Sequence, residues 1–129
     1  MKTDFQERVF EKLKQTNYEI FDGNIKDASD FIAGNLLAII EYKNVEARAT
    51  ITAPIEKARG NAEILVQMKN TRESAFNSAL DSIKKLNALC KNLEIEAFMP
   101  DFDENDTAAV KKAIGEYTDT LFEMGINKK

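Results

Sequence analysis

The 129-residue chain contains no histidine, one cysteine, two prolines and five glycines. The lack of histidine removes the commonest general base, the commonest zinc ligand and the usual pH switch near neutrality. Cys90 has no second cysteine with which to form an internal disulfide or a thiolate metal site. The glycines form neither a P-loop nor a dinucleotide-binding fingerprint. These absences predict a protein without a catalytic residue, a cofactor or a metal ion held by a recognisable motif.

Long apolar runs are absent as well. The first ten residues, MKTDFQERVF, carry charges where a signal peptide needs an apolar run, and no stretch reaches the roughly 18 apolar residues of a membrane-spanning helix. The 18 basic residues are scattered, and 22 acidic residues bring the formal charge to −4. Because affinity for nucleic-acid phosphates comes from clustered Lys and Arg, a dedicated nucleic-acid binder is disfavoured. We predict a cytoplasmic protein without membrane contact.

The residues that are present suit one domain spanning residues 1–129, because 43% of them are hydrophobic and this length supports a buried core. A capping box at Thr3 and Gln6 precedes an apolar stripe at helical spacing, which predicts a first helix over residues 4–15. Gly34 is typical of a helix end and predicts a second, short helix over residues 26–33.

The segment after Gly34 predicts β-strands. Residues 36–42 and 45–53 read as two strands joined by Lys43 and Asn44, and this register makes every cross-strand pair on one face apolar. Pro54 would end the second strand, Gly60 would let the chain reverse, and residues 62–69 alternate again. Residues 17–21 offer a fourth strand. The pattern predicts a small antiparallel β-meander of three to four strands.

Two helices are predicted to follow the meander. The first is capped by Asn70 and Glu73 and presents one apolar arc, formed by Phe76, Ala79, Leu80, Ile83, Leu86, Cys90 and Leu93. Its position on this arc predicts that Cys90 is a buried, inert thiol. The second covers residues 105–124. The predicted fold class is therefore α+β, with the meander packed against an N-terminal helix and two C-terminal helices.

The acidic stretch PDFDENDT, residues 100–107, has the alternating oxygen side chains of a calcium loop. An EF-hand loop counted from Asp101 needs glycine at its sixth position and glutamate at its twelfth, where this chain has Asp106 and Lys112. Capping of the last helix by Asp103 or Asn105 explains the same residues. The alternative is an acidic docking patch for a partner, formed by Phe98, Met99, Asp101, Phe102, Asp103, Glu104 and Asp106.

The second face of the predicted sheet suggests self-association. Its register places Leu37, Ile39 and Arg48 together, and Leu65 joins them from the third strand. Exposed aliphatic side chains of this size forfeit roughly 1.5–3 kcal/mol each, so a helix of the chain or a partner should cover them. Because two-fold dimers are the commonest oligomers, these four residues predict a homodimer contact.

The predicted function is that of a non-enzymatic protein-binding module. A particular form would be a small acidic inhibitor or accessory protein that docks on a basic surface of its partner. Two alternatives stay open. One is a nucleic-acid-binding protein that uses the sheet face with Arg48, Lys57 and Arg59. The other is a small-ligand binder or an enzyme that uses carboxylates and tyrosines without a recognisable motif.

Overall fold

The protein is an assembly of helices. The computed structural model describes the backbone of residues 4–99 and 102–123, and the side chains of residues 5–99 and 102–116. The elements in chain order are α1 (Asp4–Gln15), a 3-10 helix (Glu19–Phe21), α2 (Ile25–Ala58), α3 (Ala62–Asn92) and α4 (Thr107–Glu123). Within these ranges no residue lies in a β-strand.

Helices α2 and α3 form a long hairpin. With 34 and 31 residues, and a rise of 1.5 Å per residue, they extend for about 51 Å and about 46 Å. Asn24 caps the start of α2, because its side chain accepts a hydrogen bond from the backbone N–H of Asp27 at 3.1 Å. The turn between the helices includes Gly60, whose φ of 73° is unfavourable for residues with a side chain.

The hydrophobic core occupies only the half of the hairpin that lies away from this turn. Its α2 members end at Tyr42 and its α3 members begin at Phe76. Side chains of α1 and α4 complete the core there, including Val9, Leu13 and Ile114, which are fully buried. We call residues 4–45 and 76–123 the body, and residues 46–75 the arm. The arm consists of the two hairpin helices alone.

The predicted α+β fold and its β-meander are wrong. Residues 36–42 and 45–53 are continuous parts of α2, and residues 62–69 form the start of α3. The apolar run at 36–40 satisfies the strand period and the helix period equally well. Burial in the structure follows the helix period, because the buried positions Ala28, Ile32, Leu36 and Ile39 are spaced by three or four residues.

Several predicted boundaries are wrong because they assumed strands where the chain forms two long helices. Gly34 and Pro54 lie inside α2, and Asn70 lies inside α3, where each had been expected to mark the end or the start of an element. The candidate fourth strand at 17–21 contains the 3-10 helix. A strand depends on pairing with another segment, whereas the two long helices satisfy their backbone hydrogen bonds internally and need only bury one stripe each.

Other expectations are confirmed. Helix α1 has the predicted bounds, and the chain reverses at Gly60. All but one of the residues on the predicted apolar arc of α3 are buried, and Leu80 packs partly buried against the core. Cys90 is fully buried, and burial raises the pKa of its thiol. The predicted cap residue Thr3 lies outside the described residues. Across the described part of the chain, no helix is both long enough and apolar enough to cross a membrane.

Candidate protein-interaction surface

The arm exposes large apolar side chains of a kind that is usually buried in a hydrophobic core. Seven large hydrophobic residues are exposed in the described part of the chain, and four of them lie between positions 51 and 66: Ile51, Ile55, Ile64 and Val66. Ile51 is 70% exposed and Val66 is 58% exposed. A concentration of exposed apolar side chains in one part of a charged protein is typical of a region that contacts another molecule.

A groove runs between the two helices on one side of the arm. Its volume is about 300 Å³, and α2 and α3 contribute its lining residues Val45, Arg48, Ala49, Thr52, Ile64, Gln67, Met68, Thr71 and Arg72. We call the side of the hairpin that carries these residues the groove face. Successive helical residues are rotated by about 100°, so Ile55 and Leu37 project from α2 on the same side as Arg48. The groove therefore has aliphatic side chains along its edge.

A polar cluster marks the junction between the arm and the body. Arg72 of α3 donates two hydrogen bonds to the Glu46 carboxylate of α2, from Nε at 3.1 Å and from Nη2 at 2.8 Å. This two-point contact fixes the relative position of the helices. Hydrogen bonding from Arg72 lowers the pKa of Glu46. Beside them, the Tyr42 and Phe76 rings meet edge to face, with centroids 5.5 Å apart, and the Lys111 Nζ of α4 lies 5.2 Å from the Phe76 centroid.

Tyr42 gives this junction a testable dependence on pH. Burial, together with the negative charge of Glu46, raises the pKa of Tyr42 to about 12, above the ordinary value near 10. The unfolded chain therefore ionises first as the pH rises. The protonated Tyr42 hydroxyl therefore stabilises the folded protein. This contribution to the free energy of unfolding is complete below about pH 10 and is lost progressively up to about pH 12. Urea denaturation across this range should show a steeper loss of stability for the wild type than for Tyr42→Phe. Equal slopes would show that Tyr42 does not contribute.

The tip of the arm contains a buried carboxylate. Glu56 is 9% exposed, accepts a hydrogen bond from the Asn61 side chain and pairs with Arg59 at 3.6 Å. These contacts join the last turn of α2 to the first residue before α3, so they hold the turn closed. Arg48 is likewise paired, with Glu41 at 3.1 Å. The sheet face proposed to bind nucleic acid through Arg48, Lys57 and Arg59 does not exist, and two of these three cations have acidic partners.

The predicted acidic docking patch is divided between the core and the surface. Phe98 and Met99 are buried, and Phe102 packs partly buried against the core. The exposed members are Asp103, Glu104 and Asp106, and Asp101 lies outside the described residues. Glu104 pairs with Lys84 of α3. The apolar side chains that were to complete the patch thus anchor the loop to the body.

Capping of α4 is performed by Asp106. Its Oδ1 accepts a hydrogen bond from the backbone N–H of Ala109 at 3.1 Å, while Asp103 accepts one from Asn105 and shapes the preceding turn. The prediction that Asp103 or Asn105 caps this helix is therefore wrong, by three positions and by one position. Among the residues that the structure describes, no group of three Asp, Glu or Cys side chains is placed to hold a metal ion.

We predict that Asp106→Ala lowers the free energy of unfolding by about 1 kcal/mol, because it removes a helix N-cap. Asp103→Ala removes the same charge and should have a smaller effect on the free energy of unfolding.

Calcium and magnesium should leave the melting temperature of the wild type unchanged, since the loop lacks the required glycine and terminal glutamate. A calcium-dependent rise in melting temperature that Asp103→Asn abolishes would contradict this assignment.

The four residues predicted for self-association do not form one patch. Ile39 is 1% exposed in the body core, whereas Leu37 is 59% exposed. Arg48 lies on the groove face, and Leu65 is partly buried between the helices of the arm. The predicted face depended on strand register, in which residues 37 and 39 point the same way. On a helix these positions are separated by about 200°.

Sequence reasoning missed the groove and its aliphatic edge. The signal was present in the spacing of α2, where Asn44, Arg48, Ile51 and Ile55 recur at alternating intervals of four and three residues. This is a helical repeat. It was obscured because Val45, Ile51 and Thr52 also favour strands.

The comparisons with known proteins add no relative to this description. No protein-family model matches the sequence, and neither the curated proteins nor the solved structures contain a match.

Proposed function

We propose that the protein is a non-enzymatic protein-binding module, and that its contact surface is the groove face of the arm. The observation that carries this proposal is the concentration of exposed aliphatic side chains on the arm, where Ile64 lines a groove and Ile55 projects from α2 on the same side as Arg48. Burial of such side chains is the main favourable contribution to most protein association.

The shape and chemistry of the surface favour an amphipathic helix as the occupant. The groove lies between two antiparallel helices, and in helix-in-groove recognition a bound helix inserts aliphatic anchors spaced by three and four residues into such a groove. Ile64 lines the groove from α3, and Ile55 projects from α2 on the same side, so both are placed to contact anchors of this kind. Arg48 and Gln67 supply polar contacts at the edge. A helix with a matching aliphatic stripe and a few central polar residues would satisfy both kinds of group.

The acidic character of the chain resides in the body. The arm contains five basic and four acidic residues, for a formal charge of +1, whereas the whole chain carries −4. The body contains 18 acidic and 10 basic residues and therefore carries −8. Docking of the acidic body on a basic partner would be a second contact of the same module, and the exposed carboxylates of Asp103 and Asp106 are available for it.

Site-specific photocrosslinking tests the proposal. A benzophenone attached through Ile55→Cys, in a Cys90→Ala background, should link to a helical segment of a bound protein in an extract of the producing cells. Ile51→Glu should abolish that adduct. The matched control carries the label through Ile25→Cys, which is also an exposed isoleucine but lies on the body. Adducts that are equally abundant from both positions, or that survive Ile51→Glu, would contradict the proposal.

A further inference from the structure

Helix α2 carries a second repeat in addition to the stripe that it buries. Six residues recur at intervals of four, three, four, three and four: Leu37, Glu41, Asn44, Arg48, Ile51 and Ile55. At about 100° per residue they lie within about 80° of one another around the helix. We call this line the outer seam. Five of its members are exposed and Asn44 is partly buried, so no element of the described chain covers it.

This spacing is that of a coiled-coil heptad, in which positions a and d face a partner helix. Leu37, Asn44 and Ile51 take position d, and Glu41, Arg48 and Ile55 take position a. The seam is aliphatic at its ends and polar at its centre. A central polar residue such as Asn44 is known to fix the register and the number of helices in coiled coils.

The seam can pair with itself in the antiparallel direction, with matched layers at its ends and centre and a Glu41–Ile51 layer between them. Rotation about a two-fold axis beside residue 46 places Leu37 opposite Ile55, Glu41 opposite Ile51 and Asn44 opposite Arg48. Every layer then combines an a position with a d position. The aliphatic pair Leu37–Ile55 occurs at both ends. In the centre, Arg48 faces the Asn44 amide of the second copy and lies one layer from its Glu41, the residue type with which Arg48 already pairs within the chain.

Helix α3 leaves room for this approach. Its residues on the groove face near the same level are Thr71, Ser74, Ala75 and Ser78, and these small side chains permit close packing of a second hairpin. The overlap would be about 27 Å long and about two helix diameters, or 20 Å, wide. Its flat footprint is on the order of 500 Å² per copy, which is in the range of weak, reversible interfaces and below the roughly 800 Å² per copy of a standard stable one.

Charge distribution favours the antiparallel arrangement over a parallel one. Each body carries −8 and each arm +1, so two bodies side by side would repel. In the antiparallel arrangement the arm part of each α2, residues 46–58, lies along residues 34–46 of the other α2, and the rest of each body lies beyond the tip of the other arm. The basic tip residues Lys57 and Arg59 then approach the acidic first turns of the second α2, which contain Asp27 and Asp30.

From these features we infer that the occupant of the groove face is a second copy of this chain, bound through an antiparallel pairing of the two outer seams. The inference rests on the proposed function, because it names the partner of the same surface.

Oligomeric state is the first test. Sedimentation equilibrium of the full chain should show a concentration-dependent dimer, and Ile51→Glu or Ile55→Glu should raise its dissociation constant by roughly tenfold or more. Val66→Glu is the matched control. It adds the same charge to an exposed aliphatic position of the arm, but on the side of α3 away from the groove, and should leave the dimer unchanged. Circular dichroism checks that each variant remains helical. A monomeric wild type, or equal weakening by Val66→Glu, would overturn the inference.

Disulfide mapping tests the direction of pairing. In a Cys90→Ala background, an equimolar mixture of Leu37→Cys and Ile55→Cys chains should form mixed disulfide dimers, because these positions are opposite each other in the antiparallel register. Each variant alone should form few. Dimers formed efficiently by either variant alone would indicate parallel pairing and overturn the register.

The photocrosslinking result separates this inference from the proposed function. If the label at position 55 links only to a different protein and the wild type is monomeric, the second copy is not the occupant, but the groove face is still a binding surface. The absence of any arm-specific adduct would remove both.

Discussion

Ile39→Ala is expected to lower the free energy of unfolding by about 2–5 kcal/mol, which is the usual cost of truncating a buried isoleucine. Ile39 is 1% exposed and belongs to the body core, where neighbouring helices α1, α3 and α4 restrict relaxation around a cavity. A loss of this size is a large part of the stability of an ordinary domain.

Leu37→Ala is the matched control for Ile39→Ala. It removes a similar side chain two residues away, but Leu37 is 59% exposed, so its effect should stay within about 0.5 kcal/mol. Urea denaturation should be measured at protein concentrations low enough to exclude dimerisation. The difference between the variants tests the helix directly, because a strand would place both side chains on one face. Equal losses would contradict the helical assignment of this segment.

Pro54→Ala is expected to slow amide hydrogen exchange in the arm by up to about a hundredfold. Proline in a helix interior costs roughly 3 kcal/mol, because it lacks an N–H and its ring clashes with the preceding turn. Pro54 lies inside α2, four residues before its end at Ala58, so the carbonyl of Thr50 receives no hydrogen bond from position 54. Alanine restores that donor, and a change of 3 kcal/mol corresponds to about two powers of ten in the opening equilibrium.

The exchange rates of the body provide the internal control for Pro54→Ala. No third helix of the described part of the chain packs along the arm, so the arm should open without unfolding of the body. Amides near Ile32 and Ile83, which are fully buried, should therefore exchange at the same rate in both proteins. Uniform slowing through the whole chain would show that arm and body open together. Unchanged rates in the arm would show that Pro54 does not limit its stability.

Some features of the site were accessible from the sequence. The apolar arc of α3, the bounds of α1 and the reversal at Gly60 were all predicted, because long stripes and glycine turns are local signals. A surface with exposed aliphatic residues was also expected, and Leu37 and Arg48 were named for it. Ile51, Ile55 and Ile64 were not named, because the assumed strands placed Ile51 and Ile64 toward the core and ended at Pro54.

The sequence by itself determined the helical repeat of α1 and of the second half of α3, the lack of histidine-based chemistry and the acidic balance of the chain. It did not determine the state of residues 36–69, since alternation and helical spacing coexist there and β-branched side chains favour strands. Tertiary structure decided the matter: pairing of two long helices buries Ile39, Tyr42, Val45 and Ala49 along one line. It also decided which apolar residues remain exposed, because α1 and α4 are too short to cover the arm as well as the body.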